Sequence, residues 1–137
     1  MHKRVFNGIL FLLLMILMTA TAFAADMRAS DRFTAYDARL RVESNGDLDI
    51  YFSVAANETM DILGASRIAV QRYNGSRWVT ECTLTVKDTP AMQSGNAARY
   101  SASIPYEPDY SNADYRAVVT FYAKDSSGSS TAQTTTK

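Results

Sequence analysis

The chain is 137 residues long, room for one domain, with 47% hydrophobic residues and fourteen basic residues balancing fourteen acidic ones. That balance argues against the concentrated basic footprint on which nucleic-acid and anionic-membrane binding rest, so neither partner is expected. A single cysteine, Cys82, excludes an intramolecular disulfide, and a single histidine, His2, confines imidazole chemistry to the extreme amino terminus.

Residues 1–24 read as a secretory signal peptide, expected as a helix. Lys3 and Arg4 supply the positive start, Ile9 to Met18 an unbroken apolar run, and Ala22-Phe23-Ala24 the small-x-small pattern of a cleavage site. A membrane span needs about 20 apolar residues, and Thr19 and Thr21 end this run well short of that. No span is therefore expected after cleavage. With no cysteine following the run, no lipid anchor is expected, and no carboxy-terminal sorting sequence argues for covalent anchoring. Cleavage removes Lys3, Arg4 and His2, leaving twelve basic against fourteen acidic residues. Residues 25–137 are then one faintly acidic, secreted domain without histidine. A chain of that size buries about two thirds of its surface on folding, enough for a core without cross-links.

Asp26 to Asp31 lack any period and predict a frayed start. From Tyr36 a period of two begins, with Tyr36, Ala38, Leu40 and Val42 on one face and Asp37, Arg39, Arg41 and Glu43 on the other. That is the pattern of a half-buried strand. Ser44-Asn45-Gly46-Asp47 follows, then a second alternating run with Leu48, Ile50, Phe52 and Val54 inward. Asn-Gly between two such runs predicts an antiparallel hairpin, because a type I′ turn requires positive φ at both central residues. Asn57 to Gly64 breaks the pattern and predicts a single helical turn, capped by Asn57 and ended by Gly64. Ile68 to Tyr73 is strand again, and a second Asn-Gly pair, Asn74-Gly75, predicts a second hairpin into Trp78 to Val86. There Trp78, Cys82, Leu84 and Val86 are expected on one face, with Cys82 a buried small hydrophobe. Lys87 to Ala98, with Pro90 and Gly95, reads as a loop. Tyr100, Ala102 and Ile104 begin a strand that Pro105 and Pro108 close. Tyr115 to Lys124 alternates most regularly, with Tyr115, Ala117, Val119, Phe121 and Ala123 on one face, and is expected to be a central strand. Thr131 to Lys137 predicts a weak edge strand or a disordered tail.

About seven short strands at this spacing point to an all-β fold, an antiparallel β-sandwich, with a closed barrel as the alternative. Tyr115 starts its strand directly after the polar corner Ser111-Asn112-Ala113-Asp114, and the run Tyr115 to Thr120 resembles the tyrosine-corner strand of immunoglobulin-like and fibronectin type III domains. The resemblance implies their architecture. There is no cysteine pair and no tryptophan in the Leu48 to Val54 strand, so nothing further is carried over. Four other features, with the signal peptide, resemble a family of small exported bacterial proteins known only as a domain of unknown function. These are Met60 to Ala65, the Asn-Gly-x-x-Trp hairpin at Trp78, Tyr100-x-Ala-x-Ile104, and Tyr115-Arg116-Ala117 through Phe121-Tyr122-Ala123. That resemblance implies a secreted bacterial protein and brings no activity with it.

A secreted domain without histidine cannot assemble a Ser-His-Asp or Cys-His apparatus, and no cofactor or metal is expected. What remains is carboxylate chemistry, Asp47 and Asp49 at a strand start and Asp109 and Asp114 flanking the corner, where turn formation explains the same residues. A small enzyme using carboxylates alone is one alternative, discriminated by whether these four converge in a cleft. The candidate site is instead a binding face. Val118 and Tyr122 lie outward on the central strand, and if the Ile68 to Tyr73 strand neighbours it, Ala69 and Tyr73 join them. The expectation is a non-enzymatic binding or adhesion-type module for a protein or glycan at or beyond the cell surface. A strand-pairing subunit of an extracellular assembly is the other alternative, because open sheet edges accept added strands.

Overall fold

The computed structural model describes residues 32–136. The expected signal peptide, with its cleavage site, and the expected frayed start lie outside the described residues. Those described form an all-β, wholly antiparallel sheet of six strands: β1 (Phe33–Val42), β2 (Leu48–Tyr73), β3 (Trp78–Thr85), β4 (Gln93–Tyr106), β5 (Tyr115–Asp125) and β6 (Gly128–Thr135). One 3₁₀ turn, Pro90–Met92, precedes β4.

Everything is hung on β2. Along one of its flanks run β1, opposite Leu48 to Ala56, and then β5, opposite Ile62 to Arg72. Along the other run β4, opposite Leu48 to Gly64, and then β3, opposite Arg67 to Tyr73. β6 adds to the far side of β5. Both Asn-Gly hairpins form, closing at Val42↔Leu48 and Tyr73↔Trp78, but neither carries the expected type I′ turn: Gly46 at φ 89° and Gly75 at φ 95° take positive φ, while Asn45 and Asn74 do not.

The expected helical turn at Asn57 to Gly64 is not there, so two expected strands are one of 26 residues and the total is six rather than seven. Asn57, Glu58 and Thr59 sit in an irregularity between Ala55 and Met60, the kind of bulge that bends a strand without ending it. Met60 to Gly64 then stay extended because Gln93 to Ala97, expected as loop, pair with them as the first part of β4. Gly64 does not cap a helix. A side chain there would lie 2.7 Å from Gln93 Cα, and only glycine lets the two backbones approach so closely. Pro105 also lies inside its strand, opposite Asp49, rather than closing it. β4 is an edge among the described strands, where a residue without an N–H is tolerated.

Rings from either side of the irregularity in β2 meet in the core. Phe52, from the first half of β2, reaches Phe121 of β5 with ring centroids 6.0 Å apart, and Tyr36 of β1 reaches the same ring at 5.3 Å. Ile50, Phe52, Met60, Val70, Val119 and Phe121 are fully buried around this contact. The alternation read in Tyr115 to Lys124 holds, since Ala117, Val119, Phe121 and Ala123 are all 0% exposed. Thr131 to Thr135 are ordered as part of the edge strand β6.

Candidate binding face

The outward face of the β3-β2-β5-β6 half can be read row by row from the register. Tyr73 faces Trp78; Gln71 lies between Thr80 and Arg116; Ala69 lies between Thr83 and Val118; Arg67 lies between Thr85 and Thr120. Tyr122 lies farther on, opposite Gly64 and beside Thr131. The condition set by the sequence is met, for β2 neighbours β5 and places Ala69 directly opposite Val118.

The four candidate residues differ in what they offer. Tyr73 is 38% exposed and leans on Trp78 at a centroid distance of 5.3 Å. Val118 and Tyr122 are half-buried. Ala69 is 7% exposed, a floor under its neighbours and not a contact surface of its own. Tyr122 is seven residues along β5 from the Arg72↔Tyr115 pair, about 23 Å at about 3.3 Å per residue. Tyr73 and Tyr122 therefore mark the two ends of one face.

The Tyr73 end carries residues that the sequence did not bring forward. Arg116 holds its guanidinium 4.5 Å from the Trp78 ring centre and donates from Nε to Gln71 Oε1 at 2.7 Å. Gln71 in turn donates from Nε2 to Thr80 Oγ1. Two rings, a guanidinium and an amide thus form one fixed platform. Trp78 was expected to share a face with Cys82 and Leu84. The ladder steps from Gln71↔Thr80 to Val70↔Cys82, so Glu81 is an extra, bulged residue and the face of Trp78 is reversed. Cys82 is a free, half-buried thiol.

The same bulge aims Glu81 inward, where its side chain is 6% exposed. Its Oε2 accepts the Tyr106 hydroxyl at 2.6 Å and the Asp109 N–H at 3.3 Å, and its Oε1 accepts the Tyr115 hydroxyl at 2.8 Å. Arg72 Nε lies 3.7 Å from Oε1, and its guanidinium stacks 4.1 Å from the Tyr110 ring centre. Burial pushes the Glu81 carboxyl upward, but the two tyrosine hydroxyls, the Asp109 amide and Arg72 together hold it below its ordinary value. Burial, reinforced by Glu81, raises the Tyr106 hydroxyl and pushes that of Tyr115 up to about 12. The Tyr115 hydroxyl also accepts the Tyr110 N–H at 3.2 Å, tying the corner loop back to the head of β5. This cluster anchors the loop beside the platform. The sequence carries only a faint trace of the bulge: Val79 falls outside the two-residue phase that Trp78, Cys82, Leu84 and Val86 share.

Two polar sites lie elsewhere. Asp125, at the β5–β6 turn, accepts Arg32 Nε at 2.9 Å and also the Ser127 N–H, the Ser127 hydroxyl and the Gly128 N–H, and the Arg32 pairing above all holds it far below the usual carboxylate range. A shallow depression of about 380 Å³ is lined by Arg39, Arg41, Asp49, Tyr51 and Ser103. Of the four aspartates considered for catalysis, Asp47 and Asp49 accept through their carboxylates from Asn45 and Ser103, whereas Asp109 and Asp114 are held through the main chain, the Asp109 N–H donating to Glu81 and the Asp114 carbonyl accepting the Tyr73 N–H. Among the described residues no three metal-ligating side chains gather. No family model, no curated protein and no solved structure matches the chain.

Proposed function

We propose that this is an exported, non-enzymatic binding module acting at or outside the cell surface, and that its partner, a protein or a glycan, docks on the outward face from Tyr73 to Tyr122. The observation that carries the reading is the Tyr73–Trp78–Arg116–Gln71 platform. Rigid rings give contact area at little entropic cost, and the guanidinium and amide beside them provide directional hydrogen bonds. Export is supported by the leader read in residues 1–24, and by the resemblance of that leader together with Met60 to Ala65, the Trp78 hairpin, Tyr100 to Ile104 and Tyr115 to Ala123 to small exported bacterial proteins.

An immunoglobulin-like two-layer arrangement belongs to the same proposal. It is supported by the contact of Phe52 and Tyr36 with Phe121 across the irregularity in β2, and by the Tyr115 hydroxyl capturing the Tyr110 N–H as a tyrosine corner does. The test is direct. A labelled chain of residues 25–137 is incubated with purified cell-wall glycans and, immobilised, with culture-supernatant proteins. Saturable retention on one of the two is expected; a folded chain retained by neither contradicts the reading.

A further inference from the structure

The strand edges of this sheet are not equally protected. β1 carries Asp37, Arg39 and Arg41 on its exposed face and a bulge near its start; β3 is interrupted at Glu81; β4 carries Arg99 and Pro105. Charges, bulges and proline are the devices by which edges avoid pairing. β6, Gly-Ser-Ser-Thr-Ala-Gln-Thr-Thr, has none of them, and among the described residues it pairs with β5 alone.

The hydrogen-bond phase shows which groups that edge presents. β5 and β6 pair from Asp125↔Gly128 to Val118↔Thr135, and one step farther the Thr136 N–H donates to the Ala117 carbonyl at 2.9 Å. Bonding residues alternate along an antiparallel strand. The even residues of β6 therefore bond to β5, and Ser129, Thr131, Gln133 and Thr135 turn their N–H and C=O groups away from it. All four are exposed.

We propose that this edge pairs antiparallel with β6 of a second copy of the chain, about a two-fold axis at Ala132. In that register Thr131 faces Gln133 of the second copy, Ser129 faces Thr135, Ser130 faces Thr134, and Ala132 faces itself. The outward-turned residues bond in pairs, giving about eight backbone hydrogen bonds across the axis. Each face continues the same face of the neighbouring copy, because directly opposed residues lie on the same side of a sheet. The second copy is the fitting occupant because the strand is self-complementary: no charge on it meets its own like, and hydroxyls and amides oppose one another. The platform at Tyr73 lies two strands away, so a pair of chains would present two such platforms on one continuous sheet.

Sedimentation equilibrium of residues 25–137 over a concentration series tests this, and a monomer–dimer equilibrium is expected. Thr131→Lys with Gln133→Lys puts like charges opposite each other twice, and should weaken the dimer about tenfold or more with an unchanged circular dichroism spectrum. Thr131→Lys with Gln133→Glu should restore it. A separate readout is Ala132→Cys in a Cys82→Ser background. A non-hydrogen-bonded pair brings Cα atoms to about 4.5 Å, within disulfide reach, so oxidation should give a covalent dimer. A chain that sediments as a monomer throughout, a dimer indifferent to the lysines, a dimer that the charge swap does not restore, or no cross-link at position 132 overturns the proposal.

Discussion

At the scale of single residues, two side-chain decisions shape the molecule: none at position 64 and a carboxylate at position 81. Gly64 sits at φ 155° against the backbone of Met92 and Gln93, so a methyl group there must push two chain segments apart. Gly64→Ala is expected to cost about 2–3 kcal/mol in urea unfolding, as overpacking does. Gly46→Ala, at φ 89° with open space around it, should cost only about 1 kcal/mol, the penalty of an unfavourable backbone angle. Equal costs would mean that the close approach at Gly64 is absent.

Glu81 gives a pH signature with a definite sign. Its carboxyl is held below the ordinary value, so its contribution is complete above the usual carboxylate range, about 4.3, and is lost as pH falls through the lower folded value. Tyr115 is raised to about 12 from an ordinary value of about 10, so its contribution is complete below that ordinary value and is lost as pH rises towards 12. Glu81→Gln should lower stability at neutral pH and flatten both limbs of a stability–pH curve measured by chemical denaturation. A variant whose curve parallels the parent would show that the two tyrosines are not coupled through this carboxylate.

At the scale of elements, what could be read from the sequence was whatever depends on near neighbours. Alternation in Tyr115 to Lys124 located β5 and its buried face, and two Asn-Gly pairs located two hairpins, because turn chemistry and side-chain period act over a few residues. What depends on distant partners was not legible. Met60 to Gly64 and Gln93 to Ala97 look irregular separately, and each is extended because the other lies beside it. The bulge at Glu81 is likewise a property of a pair of strands, which is why Trp78 was placed on the wrong face and the carboxylate cluster was missed. Of the candidate site, Tyr73, Ala69, Val118 and Tyr122 were correctly grouped on one face, while Trp78, Gln71 and Arg116 were not foreseen as its platform. Hydrogen exchange tests the continuity of β2: the buried ladder amides of Met60 to Gly64 should exchange as slowly as those of Ile68 to Val70. Rapid exchange confined to Met60–Gly64 would restore the loop.

At the scale of the whole molecule, the core and the outward face make separate demands on the same strands. β5 gives its odd residues to the interior and its even ones, Arg116, Val118 and Tyr122, to the face, so binding can be altered there without emptying the core. This separation is what makes the functional proposal open to a clean test. The decisive measurement is partner retention by Tyr73→Ala, Tyr122→Ala and the double variant, each first shown by denaturant unfolding to keep the parent's stability to within about 0.5 kcal/mol per substitution, the usual scale of surface changes. The account predicts that Tyr73→Ala weakens retention about tenfold or more and that the double variant abolishes it; a folded double variant retained as well as the parent would contradict it.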